Sequence, residues 1–126
     1  MQNSVVRLAK ISIDPEKPPA GLGDLLEALF WKEPELAEQA EDFLKHVKEW
    51  QRTESPYTVD GWEKYCKRTG LSQSQYSNML KRLRKAGMLD KSYNKARKAH
   101  ELRISGRFSR ATAEMSRVWQ DYLKDY

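Results

Sequence analysis

The chain has 126 residues, 39% hydrophobic and 33% charged, with a net charge of +5: enough for one compact domain that buries roughly two-thirds of its unfolded surface without staples. Its single cysteine, Cys66, cannot close an internal disulfide and points to a reducing compartment. No apolar run approaches the ~18 residues of a membrane span, and the N-terminus lacks a charged-then-apolar secretory pattern, so a cytoplasmic chain with no membrane partner is expected.

Residues 4–13 are β-branched and partly alternating, which predicts a short strand. Three prolines and two glycines between Asp14 and Gly23 then predict a loop. Asp24 and Glu27 stand in capping-box register, so a helix should start at Asp24 with Leu25, Leu26, Leu29 and Phe30 on its apolar face. Pro34 ends that helix and can open the next, because the first helical position needs no N–H donor. From there Leu36, Ala40, Phe43, Val47 and Trp50 repeat in steps of four and three, a seam of two heptads. A helix docked on its own domain explains so short a seam; a dimer contact over residues 36–50 is the alternative.

After a linker at residues 53–57, Thr58 can cap a helix to about Arg68, with Val59, Trp62, Tyr65 and Cys66 inward and Gly70 as the stop. Ser72 and Gln75 form a second capping box. The helix they open runs to Ala86, with Gly87 beyond it, and Tyr76, Met79, Leu80 and Leu83 make one stripe. Residues 88–92 and 100–105 read as the strands of a hairpin whose tip is residues 93–99. A last helix from about residue 109 to 126 can carry Ala111, Met115, Val118, Trp119, Tyr122 and Tyr126 on its apolar face. The expected class is therefore mainly α with a small β-hairpin. An N-terminal strand and helical extension (residues 1–57) precedes a second region (residues 58–126).

The positive charge sits in one part of the chain. Residues 1–56 carry 7 basic and 11 acidic side chains, a balance of −4; residues 57–110 carry 14 and 4, or +10; the last sixteen carry 2 and 3, or −1. Such asymmetry suggests a polyanion-binding face on a neutral or acidic scaffold.

Within the basic part, Cys66 is the small residue needed where two helices cross, and Gly70 tolerates the positive φ of a tight turn. Leu71 can plug the space beneath the turn, and Ser72 satisfies the amides that open the following helix. With the exit Leu83-Arg-Lys-Ala-Gly-Met-Leu89 and the basic hairpin, residues 58–126 resemble the winged helix-turn-helix domain of bacterial and archaeal transcription regulators. MarR-type proteins are among the nearest in layout, although the hairpin tip lacks the Asp-Arg pair common in them. The resemblance implies sequence-specific binding of double-stranded DNA in transcription regulation, on the nucleoid. Alternatives are a plasmid or phage replication or partition adaptor, and a protein-docking winged helix in a larger complex.

On a helical wheel with the stripe inward, Ser74, Asn78, Lys81 and Lys85 point out, Ser77 and Arg82 flank them, and Gln73 lies at the N-terminal end. Gln73, Ser74, Ser77 and Asn78 are the candidate base contacts, because short polar side chains near a recognition helix's start can meet base edges. Lys81, Arg82 and Lys85 are candidates for phosphate or groove contacts. So are Lys91, Lys95, Arg97, Lys98 and Arg103 of the hairpin, opposed only by Asp90 and Glu101 within it. Solvated helix faces alternate charge sign, yet residues 72–89 hold no acidic side chain.

Trp31, Trp50, Trp62 and Trp119 fall on apolar helix faces, which predicts core or interface packing. A small-molecule pocket between the two regions is the lesser alternative. His46 with Asp42 or Glu49 lacks the second His or Cys that a metal site would want, and His100 suits a phosphate contact or plain exposure. No phosphate loop, nucleophile elbow or paired-carboxylate motif occurs, so neither an enzyme nor a cofactor is expected. A homodimer through residues 36–50 or the C-terminal helix would place two recognition helices ~34 Å apart, matching successive major grooves.

Overall fold

Five α-helices and one antiparallel hairpin follow each other along the computed structural model, which describes residues 11–53 and 56–124. The expected strand lies mostly outside the described residues; residues 11–13 form no strand, and the Ser12 N–H donates to the Ala28 carbonyl at 3.1 Å. Helix α1 (Leu22–Leu29) starts two residues before Asp24, which was expected to cap it. Asp24 instead occupies the first turn, where its carboxylate complements the helix dipole and accepts from the Ala20 N–H at 3.2 Å. Pro34 opens α2 (Pro34–Gln51) at its first position, as proline can.

Thr58 does not cap the next helix with its side chain. It precedes a single 3-10 turn (Val59–Gly61) and pairs as an isolated antiparallel bridge with Glu101. Helix α3 (Trp62–Thr69) and helix α4 (Gln73–Ala86) follow, then strands β1 (Leu89–Asn94) and β2 (Ala99–Ile104), then α5 (Arg107–Lys124). In the hairpin Leu89 faces Ile104 and Asn94 faces Ala99, so the turn is the four residues 95–98, shorter than the tip the sequence suggests. The Asn94 side chain explains the shortening: its carbonyl accepts from the Ala96 and Arg97 amides and closes the turn locally.

One core joins the N-terminal helices to the rest. Leu26 and Phe30, Phe43 and Val47 of α2, Met79 and Leu83 of α4, and Leu89 and Leu102 of the hairpin are all fully buried together. Phe43 lies edge-on to Tyr57, Tyr65 and Tyr76 at 5.5, 5.0 and 5.6 Å, the geometry in which ring edges meet ring faces favourably. The hydroxyls of Tyr57 and Tyr76 share a buried hydrogen bond of 2.9 Å, so no polar atom is stranded there.

This core corrects two expectations. Leu36, Ala40, Phe43 and Val47 are spent on the chain's own interior, which removes residues 36–50 as a dimer seam and leaves Trp50, 42% exposed, outside it. Of the core or interface packing expected for the tryptophans, the core half does not hold: Trp31 and Trp119 are 44% and 60% exposed, and Trp62 is half-buried against the core's margin. Periodicity tells which side of a helix is apolar, not whether anything lies over it. The C-terminal helix makes the point most strongly. No described side chain of α5 is buried; Met115, Val118, Trp119 and Tyr122 are each at least 59% exposed, and Tyr126 lies outside the described residues.

Candidate nucleic-acid interface

Helices α3 and α4 are set by the tight turn between them. Gly70 ends α3 at φ +83°, a left-handed conformation that costs a residue with a Cβ roughly 1–2 kcal/mol. Leu71 is buried beneath the turn, and Cys66, also buried, places its thiol 4.0 Å from the Ser72 carbonyl. Ser72 then opens α4 with both halves of a capping box: its Oγ accepts from the Gln75 amide at 3.1 Å, and the Gln75 side chain accepts from the Ser72 amide at 3.0 Å. Gly87 closes α4, again left-handed, while the Met88 N–H reaches back to the Leu83 carbonyl at 2.9 Å. The helix is thus fastened at both ends, with Tyr76, Met79, Leu83 and Ala86 buried and its opposite side outward.

The outward side carries most of the candidate residues. Gln73, Ser74, Ser77, Lys81 and Lys85 are exposed, Asn78 is half-buried, and Lys81 and Lys85 form no ion pair among the described residues. Arg84, which the wheel left aside, is exposed as well; it belongs to the same acid-free run, and that run was the available signal. Arg82 behaves differently. Its guanidinium pairs with Glu33 at 2.8 Å and lies over the Phe30 ring at 5.0 Å, so it clamps α4 to the α1–α2 corner instead of facing outward.

The hairpin also divides its cations. Arg97 donates to the Pro56 carbonyl at 2.7 Å and to Glu101 at 2.9 Å, and Arg103 lies 3.4 Å from the same carboxylate. Both were expected to contact phosphate; both are engaged within the chain. Glu101, 4% exposed, also accepts from the Asn94 amide at 2.8 Å. These three donors offset the lost hydration that would otherwise make a buried, ionised carboxylate costly. The Arg97 hydrogen bond, then that from Asn94, holds its pKa below the usual 4.5. Further along, the Leu102 N–H donates to the Tyr57 carbonyl at 2.8 Å and the Ile104 N–H to Gln51 Oε1 at 2.7 Å. The hairpin is fastened to Gln51, Pro56, Tyr57 and Thr58, while Lys91, Lys95 and Lys98 stay exposed with no ion pair among the described residues. Tyr93 and His100 pair across the strands at 5.1 Å on an exposed face.

Since Glu101's folded pKa is depressed, its contribution to stability is complete above the unfolded value and is lost as pH falls through the folded one. Glu101→Gln is therefore expected to unfold more readily than the parent at neutral pH. The difference should shrink on acidification below pH 4.5, as thermal melts at stepped pH would show.

Among the described residues no group of three or more His, Cys, Asp or Glu side chains could hold a metal ion, and no helix is long and apolar enough to cross a membrane. No curated protein and no solved structure matches the chain. A family model described as an archaeal family matches residues 18–124. That span runs from the loop before α1 to the end of α5, taking in the α3–α4 turn, the hairpin and the helices behind them, and the chain belongs to this archaeal family.

Proposed function

We propose that this protein binds double-stranded DNA as a winged helix-turn-helix regulator of transcription, with α4 in the major groove and the hairpin along the backbone. The observation that carries the reading is the outer row of α4, where Ser74, Ser77, Lys81 and Lys85 are exposed together with no acidic side chain in residues 72–89. Short polar groups near the helix start suit base edges, and the lysines further along suit phosphates. The antiparallel bridge of Thr58 to Glu101 beside the hairpin supports reading the hairpin as a wing, and its contacts leave Lys95 and Lys98 at the tip uncommitted.

Titrating the chain into duplexes at several salt concentrations tests this. Lys81, Arg84, Lys85, Lys91, Lys95 and Lys98 have no ion pair among the described residues. At roughly −0.9 per neutralised phosphate, they set a slope of about −5 for log affinity against log salt, per protomer. A component resistant to random-sequence competitor marks a regulator; a slope without specificity marks an architectural or partition role. Absence of duplex binding at low salt overturns the reading in favour of a protein-docking winged helix.

We further infer that the working form is a homodimer through α5, located on the nucleoid. Phe108, Ala111, Met115, Val118 and Tyr122 step by three and four along it, the seam that a second helix of the same period covers. Beside its foot the apolar surface continues into a groove of about 400 Å³ lined by Leu22, Leu25, Leu44, Met88, Ile104 and Phe108. Val118→Arg is expected to leave the melting of the protomer fold unchanged and to convert dimers to monomers in sedimentation. A wild-type chain that sediments as a monomer at tens of micromolar with DNA present contradicts the dimer.

A further inference from the structure

The hairpin carries an exposed aromatic pair that neither the core nor the duplex interface uses. Tyr93 is 54% exposed, and its ring meets that of His100 at 5.1 Å and 65°, edge against face. The two residues are register partners, so they share one face of the ribbon. Nearer the core that face is spent on packing, with Leu89 and Leu102 fully buried; Tyr93 and His100 extend it beyond the core toward the turn. A cross-strand ring pair can steady a hairpin. This hairpin is already fastened by the Glu101 cluster and by the Tyr57 carbonyl, so steadiness alone does not account for rings left open to solvent.

Cations surround the pair, and no acid among the described residues pairs with them. Lys91 lies two residues from Tyr93 on the same strand and so on the same face, while Lys95 and Lys98 lie in the turn beyond. The hairpin's two carboxylates are committed elsewhere, Asp90 to Arg107 at 3.0 Å and Glu101 to Arg97, Arg103 and Asn94. Lys98 sits in the left-handed region at φ +54°, where glycine would be less strained, so the turn keeps a cation at some conformational cost. Open rings beside unpaired cations are the two ingredients of a surface for unpaired nucleotides: the phosphates meet the charges, and a base stacks on a ring. A base inside a duplex cannot do this, because its neighbours cover both of its faces.

We propose that the hairpin binds unpaired DNA, with one base stacked on the Tyr93–His100 pair and the flanking phosphates on Lys91, Lys95 and Lys98. The chain then holds a strand where it leaves a duplex, with α4 on the paired side and the Tyr93 face on the unpaired side. The Arg97 bond to the Pro56 carbonyl and the Leu102 bond to the Tyr57 carbonyl keep the hairpin in place before the strand arrives, which lowers the ordering cost of binding. Only the paired side rests on the duplex proposal. Stacking on Tyr93 needs no duplex, so the two can fail separately.

Fluorescence anisotropy with the full chain compares three probes: a blunt duplex, the same duplex with a tail of about five thymidines, and the same duplex with an abasic tail of equal length. The abasic tail keeps every phosphate, so the ratio of the two tailed affinities isolates stacking. The thymidine tail should bind about tenfold more tightly than the abasic one, and the ratio should persist as salt rises because the two tails carry equal charge. Tyr93→Ile keeps a strand-forming side chain but has no π face; it should abolish the preference and leave blunt-duplex affinity at the parental level. Tyr93→Phe should retain the preference. Free oligothymidylate against its abasic counterpart should show the same Tyr93-dependent ratio even where no duplex binds. Equal affinity for thymidine and abasic strands, or a preference that survives Tyr93→Ile, overturns the proposal. Thermal melts of the variants separate a lost ring from a lost fold.

Discussion

Lys81→Glu combined with Lys85→Glu is expected to lower duplex affinity by about two orders of magnitude at low salt and to reduce the salt slope by about 2 per protomer. Both side chains are exposed and unpaired within the described residues, so the fold should not register the change. The loss is large because each substitution removes an attraction and adds a repulsion against the same phosphate backbone. Arg82→Ala makes the informative contrast. Its guanidinium is committed to Glu33 and Phe30, so that variant should lose stability while keeping the salt slope. Filter binding or fluorescence anisotropy over a salt series, with urea melts alongside, distinguishes the two patterns. Parental affinity in the double variant would remove α4 from the interface.

Phe43→Ala should be the most damaging single change to the fold, about 3–5 kcal/mol by urea unfolding. Phe43 is fully buried, and three tyrosine rings from the linker, α3 and α4 close around it. Truncation removes the ring's own burial and leaves a cavity whose walls are held elsewhere, Tyr65 by Asp42 and Tyr57 by Tyr76, so they cannot easily collapse inward. Domains of this size are stable by about 5–15 kcal/mol in total, so the variant would sit near its unfolding threshold at physiological temperature. Phe43→Leu, which keeps most of the volume, should cost clearly less; equal losses would mean that the ring contacts matter little.

Local signals in the sequence translated directly into structure. Ser72 with Gln75, the left-handed glycines 70 and 87, and the Tyr76–Met79–Leu83 stripe each act over a few residues, and each stands where local chemistry required. What the sequence concealed acts over long separations. The run from 72 to 89 has no acid of its own, but the fold delivers Glu33 to Arg82 from 49 positions away. Likewise Arg97 finds the Pro56 carbonyl 41 residues upstream, which turns an expected DNA contact into the bolt that holds the hairpin. Asp24 does not cap α1, because the helix begins at Leu22 behind Gly21 and leaves Asp24 inside the first turn. The apolar face of α5 was legible as a pattern, and its exposure was not, because burial depends on what packs opposite.

The most direct measurement is a map of backbone amide shifts in the isotope-labelled chain as a duplex is added at low salt. If α4 reads DNA, the largest changes fall on residues 73–77 and on the turn at 95–98, with Lys81 and Lys85 following, and they fade as salt rises. Changes confined to α5, with the amides of α4 unmoved, would contradict the account.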